Sequence, residues 1–254
     1  HSYGEGYREV RTPQILNAEL WKISGHWDHY QEDMFCLHHV EDNVDLGVKP
    51  MNCPAHMLVF KRDLHSYKEL PLRLAETTTL YRNEKSGTLH GLTRVRSLSQ
   101  DDSHIFARPD QILAEISTLL DKIKMIYQVF GLQIDEIHLS TRPEHFLGEK
   151  AVWDEAESNL KQALEEAKLE YRINEGDGAF YGPKIDVKVK DAIGRQWQLA
   201  TIQLDFQLPL RFELKYTDAD GSAKTPVVIH RALLGSMERF LGVIIEHYAG
   251  AFPL

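Results

Sequence analysis

Apolar and polar positions alternate in short runs along most of this chain, interrupted by two long amphipathic stretches. Ile15 to Ile23 carries apolar residues at Ile15, Leu16, Leu20, Trp21 and Ile23, near helical spacing, and Ser24-Gly25 closes it. Met34 to His39 and Asp45 to Lys49 read as short strands, and Ala55 to Leu64 as a helix with Pro54 in its first turn. Leu72 to Leu80 and Leu98 to Phe106 read as strands flanking a loop whose Ser86, Gly87, Thr88 and Gly91 favour turns. Arg108-Pro109-Asp110 opens a long helix in which Ile112, Ile116, Leu119, Ile123, Ile126 and Phe130 recur every three or four residues, until Gly131 stops it. Ile134 to Leu139 alternates as a strand. Ala151 to Ala167 is a second amphipathic helix, striped by Val152, Ala156, Leu160, Ala163, Leu164 and Ala167. Gly176 to Lys184 is a glycine-rich turn without the order of a phosphate-cradling loop. Strands at Ile185 to Lys190 and Trp197 to Phe206 flank a hairpin turn, Asp191 to Arg195. Leu210 to Tyr216 reads as a strand turning at Asp218 to Gly221, Pro226 to His230 as extended chain, and Leu233 to Tyr248 as a closing helix. Strands outnumber helices and are often joined by hairpins, which predicts an α+β fold: an antiparallel sheet with helices packed against it. There is no internal repeat or low-complexity linker, so residues 1–254 read as a single domain.

Side chains alternate faces along a strand. Gln100, Asp102 and His104 therefore share one face, and Ser99, Asp101, Ser103 and Ile105 the other. An amide, a carboxylate and an imidazole in a row build a polar pocket better than a core. On the later strand, Leu199, Thr201 and Gln203 share a face, opposite Gln198, Ala200 and Ile202.

The net charge of −9 argues against non-specific coating of DNA, which needs a basic surface. A hydrophobic fraction of 43% and a charged fraction of 26% are those of an ordinary globular protein. Cys36 and Cys53 are the only cysteines, which suits a reducing compartment, the cytoplasm, over a disulfide scaffold. No apolar run reaches the ~18 residues of a membrane span, and no signal peptide is visible. The opening His-Ser-Tyr-Gly lacks a starting Met and reads as mid-protein, the start of an excised fragment. Cys53 falls at the start of a helix, where a thiolate ligand is favoured; a small buried core cysteine is the other reading.

Arg82-Asn83-Glu84 with Arg94-Val95-Arg96 resembles motif 2 of the class II aminoacyl-tRNA synthetases, Gly235 to Phe240 resembles their motif 3, and the Pro13 region their motif 1. Lys49-Pro50-Met51-Asn52-Cys53-Pro54, Ser99 to His104 and Ile229-His230-Arg231-Ala232 narrow the resemblance to the threonyl-tRNA synthetases, over essentially the whole chain. The resemblance implies a zinc ion held by Cys53, His104 and His230, which spacing alone would not find, and which takes the amino group and hydroxyl of threonine. Valine is nearly isosteric with threonine, and a site built for a hydroxyl rejects the analogue lacking it by ~10⁴ or more. By resemblance Asp102 accepts a hydrogen bond from threonine, Gln100 and Tyr181 are further contacts, and Thr201 and Gln203 line the same pocket. For ATP, with its magnesium, the resemblance implies Arg82 on the α-phosphate and substrate carboxylate and Glu84 on the adenine amino group. Arg94 and Arg239 would take the distal phosphates, Arg239 also lying over the adenine ring. Lys184, Gln198 and Ser236 complete the set. Arg82 and Arg239 are the residues expected to carry the chemistry.

This sequence departs from the family in three places. Leu98 stands where an aromatic residue usually stacks on adenine, Leu199-Ala200 where bacterial members commonly have Cys-Gly, and Ala55 where Gly is common beside Cys53. The family's editing and anticodon-binding domains are expected to lie outside this chain. The expected partners are L-threonine, ATP and tRNA(Thr), and motif 1 implies a homodimer. The alternative is a paralogue that activates an amino acid for a non-tRNA acceptor such as a carrier protein. It would be expected to lose some of Cys53, Asp102, His104 and His230, which are all in place. A non-enzymatic regulatory relative should lack Arg82 or Arg239, and neither is gone.

Overall fold

The computed structural model describes residues 2–41 and 43–252. Among them the strands are β1 (Tyr7–Glu9), β2 (Ile15–Asn17), β3 (Phe35–His39), β4 (Val44–Val48), β5 (Leu72–Tyr81), β6 (Ser97–Ala107), β7 (Ile134–Ser140), β8 (Arg172–Asn174), β9 (Lys184–Lys190), β10 (Gln196–Asp205), β11 (Tyr216–Thr217), β12 (Ala223–Lys224) and β13 (Val227–Ser236). The helices are α1 (Ala18–Ser24), α2 (His26–His29), α3 (Cys53–Lys61), α4 (Ile112–Val129), α5 (Lys150–Glu166), α6 (Gln207–Arg211) and α7 (Met237–His247).

Eight strands form one sheet in the order β1-β5-β6-β13-β10-β9-β7-β8. Its interior ladders are antiparallel, as alternation and hairpins predict, while β1 and β8 add parallel edges on β5 and β7. A three-stranded sheet, β2-β4-β3, and the β11-β12 hairpin stand apart from it. One face of the large sheet presents Ile105, Ile229, Ile202 and Ile185, all fully buried against α4, α5 and α7. Each such side chain contributes about 1.5–3 kcal/mol on leaving water. The opposite face is covered only at one end, where Phe106 and Val228 pack with Met57, Phe60, Leu208 and Phe212 of the α3–α6 region. The rest of that face remains open, and there the alternating strands turn polar side chains outward.

Five expectations are corrected. The segment from Ile15 starts as β2, paired with β4, and becomes helical only at Ala18, because the Asn17 side chain accepts from Glu19 N and caps the helix there. The strand expected at Leu210 to Tyr216 is instead α6 followed by the two residues of β11. Asp205 Oδ1 accepts from the amides of Gln207 and Leu208, and Pro209 sits in the first turn, so the chain winds rather than extends. The final helix begins at Met237, not Leu233. Leu233 N and Leu234 N donate to the Asp101 carboxylate, Gly235 takes φ +69°, and Ser236 Oγ caps α7 by accepting from Arg239 N. A Cβ on Gly235 would lie 2.5 Å from the Leu199 carbonyl oxygen, so no other residue fits this turn. Lastly, β10 carries a bulge between Gln198 and Ala200, which carries Gln198 round to the face of Thr201 and Gln203. In α5 the inward stripe includes Trp153, 1% exposed, where Val152 was expected.

Candidate active site

A cavity of about 360 Å³ opens on the uncovered part of the sheet. Its floor is β6, β13 and β10. The start of α3, the turn before β9, the loop between β5 and β6, and the start of α7 form its walls. Gln100, Asp102 and His104 point into it together, as alternation along β6 predicts, and Thr201 and Gln203 join them from β10.

At the buried end, β6 and β13 pair His104 directly with His230, their rings 4.6 Å apart and nearly perpendicular. Cys53 reaches them from the first turn of α3. The candidate ligand atoms of these three buried residues all lie within 4.8 Å of one another. Each imidazole is tied at one nitrogen. His230 Nε2 meets Asp205 Oδ2 at 2.9 Å, and His104 Nδ1 meets His56 Nδ1 at 2.8 Å. The other ring nitrogen of each is left for the site. Burial, then the Asp102 and Asp205 carboxylates, push the Cys53 thiol well above its usual range. Burial, then His230 and His56, hold His104 well below the usual imidazole range. One thiol and two imidazoles, set among carboxylates, suit a borderline-soft cation such as zinc, whose charge would offset those carboxylates. The donor set fits the metal.

Around this cluster, Asn52 Nδ2 donates to Asp102 Oδ2 at 2.9 Å. Tyr181 stacks on His230 with ring centroids 5.1 Å apart, and its hydroxyl donates to Gln203 Oε1 at 2.8 Å. Burial, then Cys53 and the two nearby aspartates, push the Tyr181 hydroxyl well above its ordinary pKa, so it stays a neutral donor. Gln198 and Thr201 both donate to Asp186 Oδ1. Lys184 Nζ lies 2.6 Å from Asp186 Oδ2 and 3.0 Å from Asp177 Oδ2, so its ammonium is already matched by two carboxylates.

The exposed end gathers arginines. Arg82 donates from Nε to the Pro50 carbonyl; Arg239 donates to the carbonyls of Thr93 and Gln198 and lies over Trp197. Neither they nor Arg94 pair with a carboxylate among the described residues. Burial and then the charges of Arg94 and Arg82 lower the Arg239 pKa, the mark of like charges converging on one space. Glu84 and Leu98 line the same end. Ser236 also lines it, but its hydroxyl is occupied in capping α7 and in donating to Glu238, whose carboxylate also receives Ser99 N.

Several contributors escaped sequence reading. Asp205, fully buried, both orients His230 and starts α6. Its signal was an acid four residues ahead of a proline, the start of a capped helix. His56, Glu76 and Lys49 form a buried cluster behind His104. Here the signals were Cys53 and His56 three apart on one helix face, and an acid in phase with Leu72, Leu74 and Leu80 along β5. His26, also fully buried, has its pKa lowered to about 3 by burial and then by His230.

The sequence profile of the tRNA synthetase class II core domain (G, H, P, S and T) matches residues 35–248. A threonine–tRNA ligase of Finegoldia magna is 56% identical over 249 residues, which span 98% of this chain and 39% of the relative. One of Thermotoga maritima is 54% identical over 248 residues, spanning 98% and 38%. Among solved structures, the RNA binding domain of a threonyl-tRNA synthetase from Cryptosporidium parvum superposes with a TM-score of 0.95 at 48% identity, covering 99% of this chain and 63% of that one. The chain thus spans about 39% of the length of the curated relatives it matches. No helix among the described residues is long and apolar enough to cross a membrane. With the profile matched from β3 through α7, and with a sheet of antiparallel interior strands that brings Arg82, Arg94, Ser236 and Arg239 into one pocket, the chain belongs to the class II tRNA synthetase core family (G, H, P, S and T).

Proposed function

We propose that this domain activates L-threonine with ATP, forming threonyl-adenylate and pyrophosphate, and passes the threonyl group to the 3′ end of tRNA(Thr). The observation that carries the reading is the convergence of Cys53, His104 and His230 within 4.8 Å at the buried end of a polar pocket. Two imidazoles and a thiol would hold zinc with a coordination position open. When bound, zinc supplies a Lewis-acidic site for the amino nitrogen and hydroxyl oxygen of threonine.

The chain's own residues do the rest. Asp102, held by Asn52, accepts a hydrogen bond from threonine; Tyr181 and Gln203, bonded to each other, and Gln100 and Thr201 complete its pocket. A threonine carboxylate oxygen then attacks the α-phosphorus of ATP, the bond from that phosphorus to the bridging oxygen of the β-phosphate breaks, and magnesium pyrophosphate leaves. No side chain need act as base, because the nucleophile arrives ionised. Arg82 neutralises the carboxylate and α-phosphate as charge builds between them, and a permanently charged, planar guanidinium suits that task. Arg94 and Arg239 receive the distal phosphates, and Glu84 accepts from the adenine amino group. Lys184 and Gln198, both bonded to Asp186, and Ser236, bonded to Glu238, act at the nucleotide side.

The working unit in this reading is a homodimer in the cytoplasm. Exposed Ile15, Ile23 and Leu37 on and beside the small sheet offer the apolar surface for a second copy, and both cysteines are free thiols. ATP–pyrophosphate exchange tests the reading directly. Threonine should support it strongly and serine, which has a hydroxyl, detectably. Valine should be discriminated against by about 10⁴-fold. Valine exceeding serine would remove the hydroxyl-reading site.

A further inference from the structure

Behind His104, on the side away from the cavity, lies a fully buried chain of polar groups that includes none of the three candidate zinc ligands. Glu76, on β5 and in register with Asp102 of β6, is its centre. Each of its oxygens accepts twice. Oε1 takes Thr12 N at 2.8 Å and Lys49 Nζ at 2.9 Å; Oε2 takes Thr12 Oγ1 at 2.8 Å and His56 Nε2 at 3.0 Å. A carboxylate whose four acceptor positions are all filled is ionised. Burial alone would raise its pKa, yet these hydrogen bonds outweigh burial and bring it to about 2. Lys49, itself fully buried, balances its charge.

The arrangement fixes protons along a line. Glu76 can only accept, so His56 Nε2 carries a hydrogen and donates it. Lys49 Nζ, 2.9 Å from Glu76 Oε1, supplies the counter-charge, and a His56 whose one hydrogen sits on Nε2 leaves Nδ1 as a bare acceptor. That nitrogen lies 2.8 Å from His104 Nδ1, the rings edge-on with centroids 4.7 Å apart. The bond between them needs one hydrogen, and only His104 can supply it. We propose that His56 and Glu76 are positioning residues that fix His104 with its proton on Nδ1, so that its Nε2 lone pair faces Cys53 and His230. Asp205 does the mirror-image service for His230 through Nε2. The proposal rests on the zinc reading given above, and deepens it by naming what presets the ligand.

The test uses the 254-residue chain with zinc affinity as the readout, measured by chelator competition, and the visible spectrum of the cobalt-substituted site as a second. His56→Leu keeps much of the volume and removes the acceptor. Partners of this kind change metal affinity by about 10–100-fold, and a loss of that size is expected here together with an altered cobalt spectrum. His56→Asn places an amide oxygen near the former Nδ1 and can accept from His104, so affinity should return to within about threefold of the parent. Packing alone would predict the reverse, since asparagine is the smaller and more disruptive replacement. His56→Leu binding zinc as tightly as the parent overturns the proposal, as does His56→Asn proving as weak as His56→Leu. If His56→Leu does not fold, His56→Asn decides: affinity near the parent's supports the relay, and a tenfold loss overturns it. A parent chain that takes up no zinc is a distinct result, which removes the zinc reading itself and this inference with it.

Discussion

The two ends of the cavity are held by opposite means. At the buried end each imidazole is tied by a second polar group, and those groups are tied in turn: His230 to Asp205, which also caps α6, and His104 to His56 and Glu76. At the exposed end Arg82 and Arg239 are steered by backbone carbonyls and left without carboxylate partners among the described residues. The contrast follows from what each end is proposed to receive. A metal ligand must present one lone pair in one direction, so its proton is assigned in advance and water kept away. A triphosphate brings its own negative charge, and a guanidinium already neutralised by a protein carboxylate would have little left to offer it. Lys184, matched by Asp177 and Asp186, shows the difference within the same pocket: it holds Asp186 in place for Gln198 and Thr201.

If the ends are built separately, they should fail separately. The largest effect is expected at Arg82. Arg82→Ala should lower kcat of threonine-dependent exchange by about 10²–10³-fold, the usual consequence of removing one preorganised donor from developing charge. Zinc content should not change. Loss of zinc along with activity would mean that the arginine end supports the metal end, and the contrast would not stand. Asp205→Asn works from the other side and should cost about 10–100-fold in zinc affinity, with ATP binding unaffected. The substituted amide can still accept from Gln207 N and Leu208 N through its oxygen, so α6 keeps its cap. Its NH₂, however, now faces His230 Nε2, which must accept instead of donate. The imidazole proton moves to Nδ1, the nitrogen left for the metal. An Asp205→Asn chain that binds zinc normally would show that the tautomer is not set from behind.

What could be read from the residues follows the same division. Alternation placed Gln100, Asp102 and His104 on one face, because β6 is regular along that stretch and its two neighbours run antiparallel to it. The long helices were legible because each buries a continuous stripe. What failed were places where one side chain overrides the local pattern. Asp205 winds the start of an alternating strand-like run into α6, Asp101 holds the amides of Leu233 and Leu234 in the sheet, and a bulge at Gln198 reverses a face. The triad of Cys53, His104 and His230 was visible only through family resemblance, since three elements distant in the chain must assemble before the residues meet. The relay behind it was not seen, because Glu76 and Lys49 look like surface charges until both neighbours of β5 are in place.

The smallest expected effect concerns Leu98, and it sharpens the contrast most closely. Leu98 faces Leu80 of β5 across the ladder and lines the exposed end of the cavity at 7% exposure. It supplies apolar contact to the proposed adenine site but no ring face. An aromatic there would add about 0.5–1.5 kcal/mol of stacking, so Leu98→Phe should lower the KM for ATP by about two- to tenfold with kcat unchanged. Enlarging a side chain in a tightly packed interior ordinarily costs about 1–3 kcal/mol. At the buried end, where Cys53, His104 and His230 fill the space, that cost would prevail. At the exposed end the added ring has the open cavity to enter, so the stacking gain should survive. A Leu98→Phe chain with a lowered melting temperature and an unimproved KM for ATP would show that both ends are equally rigid. The arginines would then be as preorganised as the imidazoles, by contacts other than those with the carbonyls of Pro50, Thr93 and Gln198.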